Sequence, residues 1–117
     1  MFDGRLYRDW EGEKWERMSE ALQKSIKNAL KADGKLENRF CNGKMSAGEL
    51  AAGREIINLG LYVAYSRVFA KEGLLERASG VLEGAKEHKK AVQMSHLAKK
   101  AEKIYEIAVL NLKKYAI

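Results

Sequence analysis

The sequence predicts an all-α protein, a bundle of about four helices with the second, apolar helix at its centre. Three observations carry this reading. The 117 residues contain no proline, so no position is barred from a helix interior on that account. Apolar residues recur at three- and four-residue spacing far more clearly than in alternation. Aspartate, asparagine and glycine gather at a few points that divide the chain into helix-length segments.

A chain of this length fits a single domain, residues 1–117, able to bury roughly two thirds of the surface exposed when unfolded. Hydrophobic residues make up 46% and charged residues 32%, the balance of a folded soluble protein rather than a disordered one. The first residues lack a cationic start leading into an apolar stretch and a small-residue cleavage site. The longest apolar tract, residues 56–70, carries Arg67 and is too short to span a bilayer. A cytosolic protein without membrane contact is expected. Cys41 is the only cysteine, which excludes an internal disulfide and any cysteine-based metal cage; it reads as a small packing residue or a loop thiol.

The first helix is expected to start near Asp9, an N-cap, with Glu11 and Glu13 at the positive end of the dipole. Trp15, Met18, Leu22, Ile26, Ala29 and Leu30 form its stripe. Asp33 and Gly34 then predict a break, Asn42 and Gly43 a second turn, and residues 33–45 a loop pinned to the core by Leu36 and Phe40. At 46–49 the stretch Ser-Ala-Gly-Glu is a capping box, which starts a second helix running from about Ala47 to Glu72. Gly73 stands where a left-handed C-terminal residue is wanted. Leu74, Leu75, Ala78, Val81, Leu82 and Ala85 carry a third helix. Its stripe, prolonged to Val92, is out of phase with that of Met94, Leu97, Ala101, Ile104, Ala108 and Leu112, so a kink or turn is expected within residues 87–93.

Charge narrows the functional classes. The +6 net charge lies wholly beyond residue 33, and residues 86–103 hold six lysines and both histidines. Lys86, Lys89, Lys90, Lys99, Lys100 and Lys103 are the candidates for sequence-independent contacts with a nucleic-acid backbone. Cations at a helix end and on a solvated face account for every one of them without a ligand, and that reading is preferred. Glu83, Glu87, Glu102 and Glu106 interrupt the patch, and no arginine-rich helix or aromatic platform supports base recognition.

No catalytic residue is assigned. His88 and His96 lie eight positions apart with no clustered carboxylates, so no metal site is expected. Glu13 and Glu16 share a helix side without a second acidic pair elsewhere. A phosphate-binding glycine loop and a serine elbow are both missing, and no cofactor is called for. Arg54 falls within the apolar stripe of Leu50, Ile57, Leu61 and Val68. A charge there needs a partner, and the reading is a stem over apolar neighbours with its head on a glutamate of another helix, or an anion-binding site.

The second helix spreads Ile56, Leu59, Tyr62, Val63 and Phe69 around the side opposite Ile57, Leu61, Ala64, Tyr65 and Val68, so it must be covered nearly all round. Gly53 and Gly60 lie within about 20° of each other on its wheel, as a close backbone approach requires. From these features follows the expectation of a helical interaction or assembly subunit rather than an enzyme. It would be a symmetric homodimer with Leu59, Val63, Gly53 and Gly60 at the interface, with a place in a larger protein assembly. Nonspecific DNA or RNA binding by the lysine-rich half is the alternative.

Overall fold

The computed structural model describes residues 12–115, with side chains from residue 16 onward. Among these residues the fold is four helices and no strand: α1 (Gly12–Cys41), α2 (Ala47–Lys71), α3 (Leu75–Ala91) and α4 (Ala98–Tyr115). Asp9 and Glu11, and the side chains of Glu13 and Trp15, lie outside the described residues.

The predicted break at Asp33 and Gly34 does not occur, and α1 continues through both to Cys41. An interior glycine costs about 1 kcal/mol relative to alanine, and contacts with α2 offset it on either side. The Asp33 carboxylate accepts a hydrogen bond from Arg54 Nε at 2.8 Å, and Leu36 lies so close over Gly53 that a Cβ there would come within 2.8 Å of Leu36 Cδ1. The connection therefore shrinks from residues 33–45 to a turn at 42–46. Leu36 does pin this region, but from a helix, whereas Phe40 is 38% exposed. Leu30 is also exposed, since one residue past buried Ala29 is 100° further round the helix.

Both glycine turns have the same construction. Gly43 (φ 71°) and Gly73 (φ 80°) adopt left-handed backbone. Lys44 N–H reaches the Arg39 carbonyl and Gly43 N–H that of Phe40, and the same pair of bonds joins Leu74 to Phe69 and Gly73 to Ala70. This is the Schellman arrangement, which satisfies orphan carbonyls at a helix end. Leu74, just past the second turn, packs on the core cluster that contains Phe69. At the start of α2 the capping box is formed: Glu49 N–H donates to Ser46 Oγ at 3.1 Å and Ser46 N–H to Glu49 Oε1 at 3.0 Å.

The turn between α3 and α4 covers residues 92–97, at and beyond the C-terminal edge of the stretch in which it was expected. It is built without glycine or proline. Val92, fully buried, anchors it, and Ser95 Oγ donates to the Val92 carbonyl at 2.7 Å and accepts from Leu97 N–H at 3.1 Å. Met94 sits in this turn and is 99% exposed; the stripe of α4 begins at Leu97 instead, because the turn resets the helical phase.

Helix α2 packs against each of the other three, whereas the backbone of α1 approaches neither α3 nor α4 within 8 Å. One core cluster joins Met18, Leu22 and Ala29 of α1 to Leu61, Tyr65 and Phe69 of α2 and Ala78 and Val81 of α3. The other joins Ala52 and Leu59 of α2 to Leu82 and Ala85, Val92, and Ala101 and Ala108 of α4. Ser66 Oγ donates to the Ala78 carbonyl at 2.8 Å and ties α2 to α3 where both are buried. Because α1 extends beyond the rest, the extents are 47 × 25 × 19 Å and the radius of gyration is 15.1 Å, against about 13 Å for a compact domain of this length.

The capping box makes two measurable claims. Ser46→Ala is expected to cost about 1 kcal/mol in chemical denaturation. The hydrogen bonds from Ser46, its backbone N–H foremost, hold the Glu49 carboxyl below the usual glutamate range. Its contribution is therefore complete above that range and is lost as pH falls through it. A Glu49→Gln variant keeps an acceptor but removes this titration, so its thermal midpoint should fall less than the parent's on acidification.

Candidate interaction groove

The arrangement of neighbours around α2 follows from its helical wheel. Leu61, Tyr65 and Arg54 turn toward α1, Tyr62, Ser66 and Phe69 toward α3, and Leu59 and Ala52 toward the α3–α4 side. The remaining side carries Gly53, Ile56, Gly60, Val63, Ala64 and Arg67. Leu36 of α1 closes over Gly53, and Ile56 and Val63 pack at their edges on the α4 cluster, so Gly60 and Arg67 are the exposed residues of this side. This side forms the floor of an open groove whose walls are α1 and α4, and residue pairings give the direction of each wall. Leu36 lies at Gly53 and Arg17 pairs with Glu72 at 3.0 Å, so α1 runs antiparallel to α2. Leu97 lines the groove with Ile56, and Tyr115 lines it with Arg67 and Ala70, so α4 runs parallel.

The wide end is a cavity of about 460 Å³ lined by Ala32, Lys35, Leu36 and Arg39 of α1, Met45, Glu49, Gly53, Ile56 and Ile57 of the α2 segment, and His96, Leu97 and Lys100. Ala32 and Ile57 are shared with a second hollow of about 300 Å³ that continues past Ser25 and Asn28 to Gly60 and Ala64. A narrow crevice between α2 and α4 follows, at Val63, Arg67, Asn111 and Tyr115. The floor is aliphatic. The rim of the wide end is cationic, and Glu49, the sole acid lining it, is occupied by the capping box with Arg39 and His96 nearby.

The sequence candidates fall into this geometry unevenly. Gly60 is exposed in the floor with nothing within 4 Å of where a Cβ would stand, whereas the close approach at Gly53 comes from Leu36 of the same chain. Val63 is half-buried. Leu59 is 0% exposed: its own chain covers it, so it has no surface left for an interface and that assignment is corrected. Arg54 is paired as its position in an apolar stripe demanded, but with an aspartate, Asp33, rather than a glutamate. The hydrogen bond it donates to Asp33 raises the pKa of its guanidinium further.

The six candidate lysines do not share one face. Lys89, Lys90 and Lys99 line a notch with Gln93 and Glu102 where α3 meets α4. Lys86 is bonded to Glu83 at 3.0 Å, and Lys89 lies over the Tyr105 ring, 4.8 Å from its centroid. Lys100 belongs to the groove rim, and Lys103 is exposed beyond it. His88 is held to Glu55 at 2.5 Å and lies tilted against Tyr62, ring centroids 5.0 Å apart. His96 is in the groove. Among the described residues no three His, Cys, Asp or Glu side chains come together as a metal site, and no helix is long and apolar enough to cross a membrane. Cys41 is an exposed thiol at the end of α1.

Lys35 and Arg39 escaped the sequence reading because the expected loop took them out of helical register. Within α1 they are one turn apart on a single side, a signal that was present once the helix is continued.

Two glycines should respond oppositely to alanine. Gly60→Ala meets open space and should stabilise the isolated chain by up to about 1 kcal/mol. At Gly84 a Cβ would stand 3.1 Å from Tyr62 Cε1, and Tyr62 is backed by the His88–Glu55 pair. Overpacking of about 1–3 kcal/mol there should exceed the gain in helix propensity. Urea denaturation of the two variants beside the parent checks both signs. No protein-family model matches the chain, and neither does any curated protein or solved structure.

Proposed function

We propose that this chain is a small helical interaction subunit without catalytic machinery, which presents the open side of α2 to a binding partner. One observation carries the reading: α2, with Arg67 as the single charge between Ile56 and Ala70, is buried on three sides and only half-buried on the fourth, where the exposed Gly60 weakens the helix without serving any contact within the chain. A concave apolar floor between helices with a charged rim has the form of a groove that takes a partner helix. A glycine in its floor permits the close backbone approach that a second molecule would use.

The two-fold homodimer expected from the sequence is less well supported than a different partner. A symmetric contact requires a self-complementary surface. Two copies meeting through this groove would set a concavity against a concavity and the Lys35, Arg39 and Lys100 rims against each other. Nonspecific nucleic-acid binding ranks below both, since the lysines that would supply it are scattered: three in the notch, Lys100 on the groove rim, Lys103 beyond it and Lys86 on Glu83.

Light scattering tests this reading. The purified chain should have its monomer mass of 13.2 kDa across a hundredfold dilution, but in extracts of its own cells it should run in a larger assembly. Gly60→Leu, which fills the floor, should return it to the monomer position while remaining folded by circular dichroism. A parent chain that is monomeric in the extract as well would refute the proposal.

A further inference from the structure

From the shape and charge of the groove we infer that its occupant is an acidic amphipathic helix of another protein; this rests on the docking role proposed above. The floor from Gly53 to Arg67 spans fourteen residue steps, about 21 Å of helix, which matches a partner helix of roughly four turns. The hollows of about 460 and 300 Å³ along the floor receive one face of such a helix. Ile56, Ile57, Leu36 and Leu97 meet an apolar stripe. At Gly60, where no side chain intervenes, the partner places a small residue and the two backbones come together at the short end of helix packing distances.

Charge selects the class of helix. Lys35 and Arg39 stand on the α1 wall, Lys100 on the α4 wall and Arg67 at the narrow end. Lys24 and Lys31 continue the α1 side at helical spacing from Lys35, and Lys103 lies one turn on from Lys100; all three are exposed. A helix seated between these walls has cations along both flanks, so glutamate or aspartate on either side of its apolar stripe completes the interface. The same rims repel a basic helix. The floor argues against nucleic acid as the occupant. It is aliphatic, and single strands bind such grooves by stacking bases on a series of aromatic side chains, of which the wide end has His96 alone.

The test uses three labelled 18-residue synthetic helices that share one stripe of leucine and alanine and carry glutamate, glutamine or lysine on the flanks. Binding to the full chain is read by fluorescence anisotropy at low and moderate salt, and the site by backbone amide shifts. A single-stranded RNA 12-mer and phosphatidylglycerol vesicles serve as competitors. The glutamate peptide should bind with shifts at Ile56, Gly60 and Leu97, and the glutamine peptide should bind about tenfold more weakly. Lys35→Glu combined with Lys100→Glu should transfer the preference to the lysine peptide. Gly60→Leu should abolish binding without lowering the melting temperature, which separates a blocked groove from an unfolded chain. Equal binding of the glutamate and glutamine peptides at these residues would overturn the acidic partner and leave the docking groove standing. No peptide shifts in the groove, or RNA or vesicles displacing the peptide from it, would overturn both.

Discussion

Helix α2 is apolar nearly all round, and this constraint organises the molecule. An ordinary surface helix buries one stripe and leaves the rest to water; α2 has aliphatic or aromatic residues on every side and, from Ile56 to Ala70, a single charge, Arg67. Each of its neighbours is amphipathic and has one stripe to bury. Three neighbours around one axis leave a fourth side, and α1, tied by a short turn directly to the start of α2, lies where it cannot close the gap with α4. The open groove is thus a consequence of helix count and connection length, and its floor is the side of α2 that the three neighbours cover least.

The helices hold their places through local devices that act at their ends and at a few buried polar points. The capping box starts α2, and the Schellman turns at Gly43 and Gly73 end α1 and α2 so sharply that the chain reverses within a few residues. Ser66 donating to the Ala78 carbonyl fixes α2 against α3 immediately after the second turn. At the far end, Asp33 with Arg54 and Leu36 over Gly53 hold the last third of α1 in register with α2. This last set also carries Lys35 and Arg39 to the groove, so a contact that stabilises a helix decides where two rim charges stand.

The lysines of the C-terminal half show how proximity in sequence dissolves in three dimensions. Lys99 and Lys100 are adjacent, yet at 100° per residue one joins the α3–α4 notch and the other the groove rim. Conversely, Lys35 and Lys100, remote in sequence, line one cavity. A basic composition states that anionic partners are favoured; only the distribution over surfaces states how such a partner would be held.

What the sequence determined by itself is the set of elements whose signals are local: the helical class, the capping box at Ser46 and Glu49, the glycine that ends α2, the phase break before α4, and the central place of α2. Each depends on residues within a turn or two, or on a periodicity that no packing can hide. The tertiary structure decided the rest. Asp33 and Gly34 read as a helix stop because their propensities are local, and lost to Arg54 and Gly53, whose contribution across the interface no local window contains. Leu59 read as a surface candidate because the wheel of α2 has no bare side in sequence; which quarter stays open depends on where α1, α3 and α4 come to rest. Burial is a property of neighbours, and the groove exists only once they are in place.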